Sequence, residues 1–155
     1  MGCDIHCYAE RKNENGKFEV VSLPDEPFGW RSYGMFDFLA GVRAYSAITP
    51  ISEPRGIPND VSPVVKTEYE SWDADAHTPS WLSVKELAEF DYEQQTEDRR
   101  YMKQIGPNAW DGGQTCGPGE GSLMTYREFL GQKFFEDLQK LKDVGAERII
   151  FWFDN

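Results

Sequence analysis

The residues best suited to chemistry stand at the start of the chain. The first eleven read MGCDIHCYAER, so Cys3, Asp4, His6, Cys7 and Tyr8 fall close together, and the whole sequence holds only two histidines. On a strand, residues i and i+2 project from one face. Asp4 and His6 would then converge on one ligand or metal ion, while Cys3 and Cys7 point the other way. That separation argues against structural zinc, which takes four convergent ligands. The plainer alternative is a half-buried His6 held by Asp4 or a backbone carbonyl, with the cysteines as small core residues.

Two further words hold polar groups. In P-R-G-I-P-N-D-V-S, residues 54–62, Arg55 sits in a loop stiffened by Pro54, Pro58 and Pro63. An arginine there can fork onto a carboxylate or phosphate, or pair with Asp60 or Asp4 as a buttress. In A-H-T-P-S-W-L, residues 76–82, His77 precedes an expected tight turn into a helix, with Ser80 or Ser83 near its N-terminus. Helix N-termini attract anions; ordinary capping, with Trp81 as a core plug, is the alternative. Arg31 and Arg43 flank a short helix and would line the same pocket or cover the sheet edge. The sequence has no nucleophile elbow, P-loop, H-E-x-x-H or paired C-x-x-C.

These residues support three functional expectations. The first is a small anionic, nucleotide-like ligand bound in a pocket of Asp4, His6, Arg43, Arg55, Asp60, His77 and Ser80. The second is a metal-dependent hydrolase or phosphodiesterase, with Asp4, His6 and His77 on the metal and Asp60 as a further ligand or base. The third is an acidic interaction protein that blocks a basic surface and needs no pocket.

The elements that must position these groups follow from periodicity. Residues 3–10 alternate as a strand, R-K-N-E-N-G-K turns, and F-E-V-V returns, which predicts a β-hairpin. M-F-D-F-L-A-G-V-R predicts a short buried helix ending near Gly41. Residues 44–80 hold five of the nine prolines and read as a long irregular excursion. Ser83-Val84-Lys85-Glu86 and Thr125-Tyr126-Arg127-Glu128 are capping boxes. The second should open the best helix, with Phe129, Phe134, Leu138 and Leu141 on one face and Gly145 as its stop. Between them the glycine-rich stretch 111–122 reads as a surface loop. The apolar run in E-R-I-I-F-W-F-D-N predicts a strand buried on both faces, paired with the N-terminal strand. The expected fold is a single α+β domain: a small, mainly antiparallel sheet packed by helices on one side, with long loops.

Composition bounds the rest. At 155 residues, 39% hydrophobic and 14% aromatic, the chain can bury one substantial core. A net charge of −11 argues against direct nucleic-acid binding, which needs a basic surface. No run of 18 apolar residues is present to span a membrane, and no basic segment leads into an apolar one as in a secretory signal. With Cys3, Cys7 and Cys116 the only cysteines, the odd count fits a reducing cytoplasm without a disulfide framework.

The opening MGCDIH, then R-x-Y-x-x-F-x-x-L-A-G-V-R from Arg31 to Arg43, P-R-G-I-P-x-D-x-S and H-x-P-S-W-L, resembles a family of small uncharacterised bacteriophage and prophage proteins. The likeness reaches to about residue 90; residues 94–124 carry none of its words. It implies a phage protein in the host cytoplasm without an assigned reaction. By analogy, such a ligand-binding protein would sequester a host signalling nucleotide.

Overall fold

The structure, a computed structural model, describes residues 2–107 and 109–154, with 101–106 and 109–114 described by backbone alone. Strand β1 (Asp4–Lys12) reverses through Asn13–Lys17 into β2 (Phe18–Val20). Gly16 takes φ 76° at that turn, a left-handed conformation that glycine adopts without a Cβ clash. Helix α1 (Tyr33–Ala40) starts where the Ser32 hydroxyl accepts from the Met35 N–H, and it stops at Gly41 with φ 70°. The helix ends at Gly41 as its sequence predicts, but it begins at Tyr33, two residues before the expected Met35.

The stretch 44–80 is less irregular than its prolines suggest. It contains α2 (Pro63–Trp72), followed by a 3-10 turn and then strand β3 (Ala76–Ser83). Pro63 sits at the first helical position, where its missing N–H is harmless. Val65, Tyr69 and Trp72, spaced four and three apart, face the sheet. The expected turn into a helix at His77 is therefore a strand. The Ser83 capping box is present and opens α3 (Val84–Glu89).

The glycine-rich stretch is also more ordered than expected. Strands β4 (Gln95–Asp98), β5 (Arg100–Gly106), β6 (Ala109–Thr115) and β7 (Ser122–Thr125) form two two-stranded sheets, β4–β7 and β5–β6. Residues 109–115 are strand, which confines the loop to 116–121. The Thr125 capping box opens α4 (Tyr126–Leu130), but the helix breaks at Gly131, φ 82°, before α5 (Gln132–Asp143). Strand β8 (Arg148–Asp154) ends the chain's regular structure.

The main sheet is antiparallel with strand order β2-β1-β8-β3. Central β8 is buried on both faces, as its apolar run requires. Alternation splits its side chains. Ile149, Phe151 and Phe153 join Cys3, Ile5, Cys7 and Ala9 against α1, α3, α4 and α5, with Phe134 and Phe38 fully buried. Ile150 and Trp152 join Tyr8 against α2. Helices thus cover both faces rather than one. A fully apolar central strand exposes hydrophobic side chains on two sides, and each side stabilises the fold only when it is covered. The fold is α+β, with no helix long and apolar enough to cross a membrane among the described residues.

Candidate functional site

The seven sequence-selected residues fall into four places. Arg55 and Ser80 belong to the outer edge of β3. The Arg55 N–H donates to Ser80 Oγ at 3.0 Å, its guanidinium donates to the Trp81 carbonyl at 3.1 Å, and the Gly56 N–H donates to the Pro79 carbonyl at 3.0 Å. The same guanidinium grips Glu86 of the α3 capping box at 2.6 and 2.9 Å and lies over Trp81, 4.7 Å from the ring centroid. The loop therefore seals a strand edge that would otherwise present unpaired polar backbone. Arg55 is a buttress, as its alternative reading held, but its partner is Glu86 and not Asp4 or Asp60. Ser80, buried, is occupied by that loop rather than by a helix N-terminus.

Asp60 lies at the far end of β8. Its carboxylate accepts from Arg148 Nη1 at 2.8 Å. The Arg148 Nε donates to Glu10 Oε1 at 2.9 Å, and Glu10 Oε2 accepts the N–H of Ser62 at the start of α2. Glu10 and Arg148 are buried, and the guanidinium sits over Phe18 at 3.4 Å. A buried carboxylate and guanidinium must pair, so Asp60 serves this structural network.

His77 turns away from His6. On β3, His77 stands opposite Phe153, and Ser80 opposite Phe151, so three residues advance against two. The extra residue is a β-bulge, with Thr78 at φ 52°. Without it, alternation from Trp81 would place His77 on the α2 face beside His6. With it, His77 stacks on Phe153, 6.0 Å between centroids, on the α1 face. Its Nδ1 meets the Thr78 hydroxyl at 2.9 Å, and its Nε2 is buried without a hydrogen bond. His6 and His77 thus occupy opposite faces, and Asp4, His6 and His77 do not share a metal-binding point. Among the described residues, no group of three or more His, Cys, Asp or Glu side chains is arranged to hold a metal ion.

Asp4 and His6 lie together at the end of the sheet where β1 begins and β8 ends, and Arg43 reaches the same end from the opposite, α1 face, beside Cys3. Asp4 stands directly opposite Asp154 in register, so two carboxylates meet. Like charges placed so repel, and each carboxylate accepts hydrogen bonds from its own partner, Arg31 on Asp4 and His6 on Asp154. Arg31 forks onto Asp4 with both hydrogen bonds at 2.9 Å, which holds the Asp4 carboxyl below its usual range. His6 Nε2 meets Asp154 Oδ2 at 2.5 Å. The imidazole leans on Trp72 of α2, 4.2 Å between centroids at 36°. Both His6 and Asp154 are about a fifth exposed. His6 Nδ1 has no hydrogen bond among the described residues and is not sealed from solvent.

Arg43 closes this end from the α1 side. At φ 56°, its guanidinium lies 5.3 Å from the Tyr33 ring centroid and donates to the Tyr45 hydroxyl at 3.3 Å. The Tyr33 hydroxyl accepts from the Cys3 N–H. Burial raises the Cys3 thiol pKa, while Arg43 beside it pulls the other way; Asp154 and Asp4 are also within electrostatic reach. One buried sulfur thus feels Arg43, Asp154 and Asp4 together. Gly2 belongs to the same cradle, since a Cβ there would stand 2.5 Å from the Arg31 guanidinium. Asp154 and Trp72 are the residues of this candidate site that sequence reasoning missed. The spacing of Val65, Tyr69 and Trp72 offered a signal for Trp72. Asp154 emerges only from strand register.

Compared with known proteins, the chain matches no family model, and no curated protein or solved structure matches it.

Proposed function

We propose that the open end of the sheet binds a small anionic ligand of nucleotide-like character. One observation carries this reading. In a chain of net charge −11, one end of the sheet carries Arg31 and His6 beside Trp72 on one face and Arg43 beside Tyr33 and Tyr45 on the other. Guanidinium forks recognise phosphate and carboxylate oxygens, and flat aromatic faces receive a planar base. Asp4 engages Nε and Nη2 of Arg31, and Nη1 carries no hydrogen bond among the described residues. Arg31 and Asp4 are each about half exposed, so an incoming anion competes with Asp4 in water rather than in a sealed core. In the phage setting implied by the sequence resemblance, such a site would sequester a host signalling nucleotide.

The test is a thermal-shift and calorimetric comparison of inorganic pyrophosphate, AMP and ATP, with sodium chloride of matched ionic strength as the control. Saturating ligand at a hundred times its Kd should stabilise the protein by about 2.7 kcal/mol. Arg43→Ala and Arg31→Ala should weaken binding at least tenfold. Absence of binding by any of the three, or binding that both variants retain in full, would refute the reading.

A further inference from the structure

We propose that His6, oriented by Asp154, is a general base that activates water against a phosphodiester held at the open end of the sheet; this rests on the anion-binding reading above. The argument begins with the tautomer. A carboxylate 2.5 Å from Nε2 requires a proton on that nitrogen. In the neutral imidazole, Nδ1 is then the basic nitrogen, and it is the nitrogen that has no hydrogen bond among the described residues and reaches solvent. The ring is held in place by Asp154 on one side and by Trp72 at 4.2 Å on the other. A strand supplies a rigid mounting, because Cα of His6 is locked in register opposite Trp152.

The neighbours suit a phosphodiester. Such a group carries one negative charge, which Arg31 or Arg43 matches. Arg31 is placed by Asp4, which shares the His6 face of β1, and Asp4 lies within electrostatic reach of the imidazole. An orienting carboxylate, an imidazole with its second nitrogen exposed, and a cation beside it form the arrangement that general-base hydrolysis needs. Cys3 does not compete as a nucleophile, since it is fully buried.

The step balances as follows. Water gives a proton to His6 Nδ1 as its oxygen bonds to phosphorus. The ester P–O bond breaks, and its electron pair leaves on the departing oxygen. The imidazolium passes its proton to that oxygen, or to solvent when the leaving group is a phenolate. One diester and one water become one monoester and one alcohol. His6 is the catalytic base, and Asp154 is a positioning residue.

The experiment follows release of 4-nitrophenolate from bis(4-nitrophenyl) phosphate, alongside binding of inorganic pyrophosphate to the same proteins. The wild-type protein should hydrolyse the diester above the buffer rate. His6→Gln should lose about a hundredfold or more yet still bind pyrophosphate, and imidazole added to His6→Ala should restore part of the rate. Asp154→Asn should lower kcat with little change in KM, as expected for a residue that only orients the base; a purely structural ion pair would leave kcat of the folded variant unchanged. No wild-type hydrolysis, an undiminished His6→Gln rate or an undiminished Asp154→Asn kcat, with pyrophosphate binding intact, overturns the general base alone. Failure of the wild-type protein to bind pyrophosphate overturns the anion site as well.

Discussion

Replacing Asp37 by Asn isolates a single buried carboxyl. Asp37 lies on α1, whose residues from Gly34 to Ala40 are all buried, and is itself 2% exposed. Its Oδ2 has no hydrogen-bond partner among the described residues. Burial raises its pKa from 3.8 to about 7, with Arg100 only partly offsetting the effect. The folded protein therefore binds this proton more tightly than the unfolded chain does, so stability is lost as pH rises from the unfolded value towards the folded one. At about 1.4 kcal/mol per power of ten in proton affinity, the whole span amounts to roughly 4 kcal/mol. Of this, about 1.5–2 kcal/mol is already lost at pH 5 and nearly all by pH 8, which leaves about 2–3 kcal/mol between those two pH values. The amide cannot ionise, and whatever constant penalty it carries is the same at both pH values. Urea melts at pH 5 and pH 8 should therefore show Asp37→Asn gaining about 2–3 kcal/mol on the wild-type protein between them. In a chain this size that is roughly 5–10 °C in Tm. Parallel pH dependence of the two proteins would refute the argument that Asp37 is buried without a partner.

Two further outcomes test the core and its ion pairs. Phe134 is fully buried and stacks on Phe28 at 4.9 Å, so Phe134→Ala should cost about 3–5 kcal/mol in a denaturant melt; a loss under 1 kcal/mol would place it outside the core. Glu10→Ala strands the buried Arg148 guanidinium with only the exposed Asp60 as a carboxylate partner, and should cost about 3 kcal/mol or more. The pair is then structural, so Glu10→Ala protein that remains folded should bind pyrophosphate as the wild-type protein does.

What the sequence determines by itself are the features set by near neighbours. Alternation assigns Cys3, Ile5, Cys7 and Ala9 to one face of β1 and Asp4, His6 and Tyr8 to the other, because successive side chains on a strand must oppose. Ser83 and Thr125 cap helices through a serine or threonine and a glutamate three residues on, a local geometry. The all-apolar run of β8 requires cover on two sides. Tertiary structure decides what depends on register and on distant partners. One extra residue at Thr78 reverses the face of His77 and separates it from His6, and no local signal in H-T-P-S announces that reversal. Arg55 and Asp60 each had several carboxylates or cations within sequence reach; packing gave them Glu86 and Arg148. The prolines of 44–80 obscured α2, although Pro63 stands at the one helical position that tolerates it. The glycines of 111–122 hid a strand that hairpin pairing stabilises despite its composition. Asp154 becomes the partner of His6 because antiparallel pairing brings the last strand's end to the first strand's beginning, 148 positions apart in the chain. A polar site at a sheet end is assembled from residues that touch only after the sheet has closed.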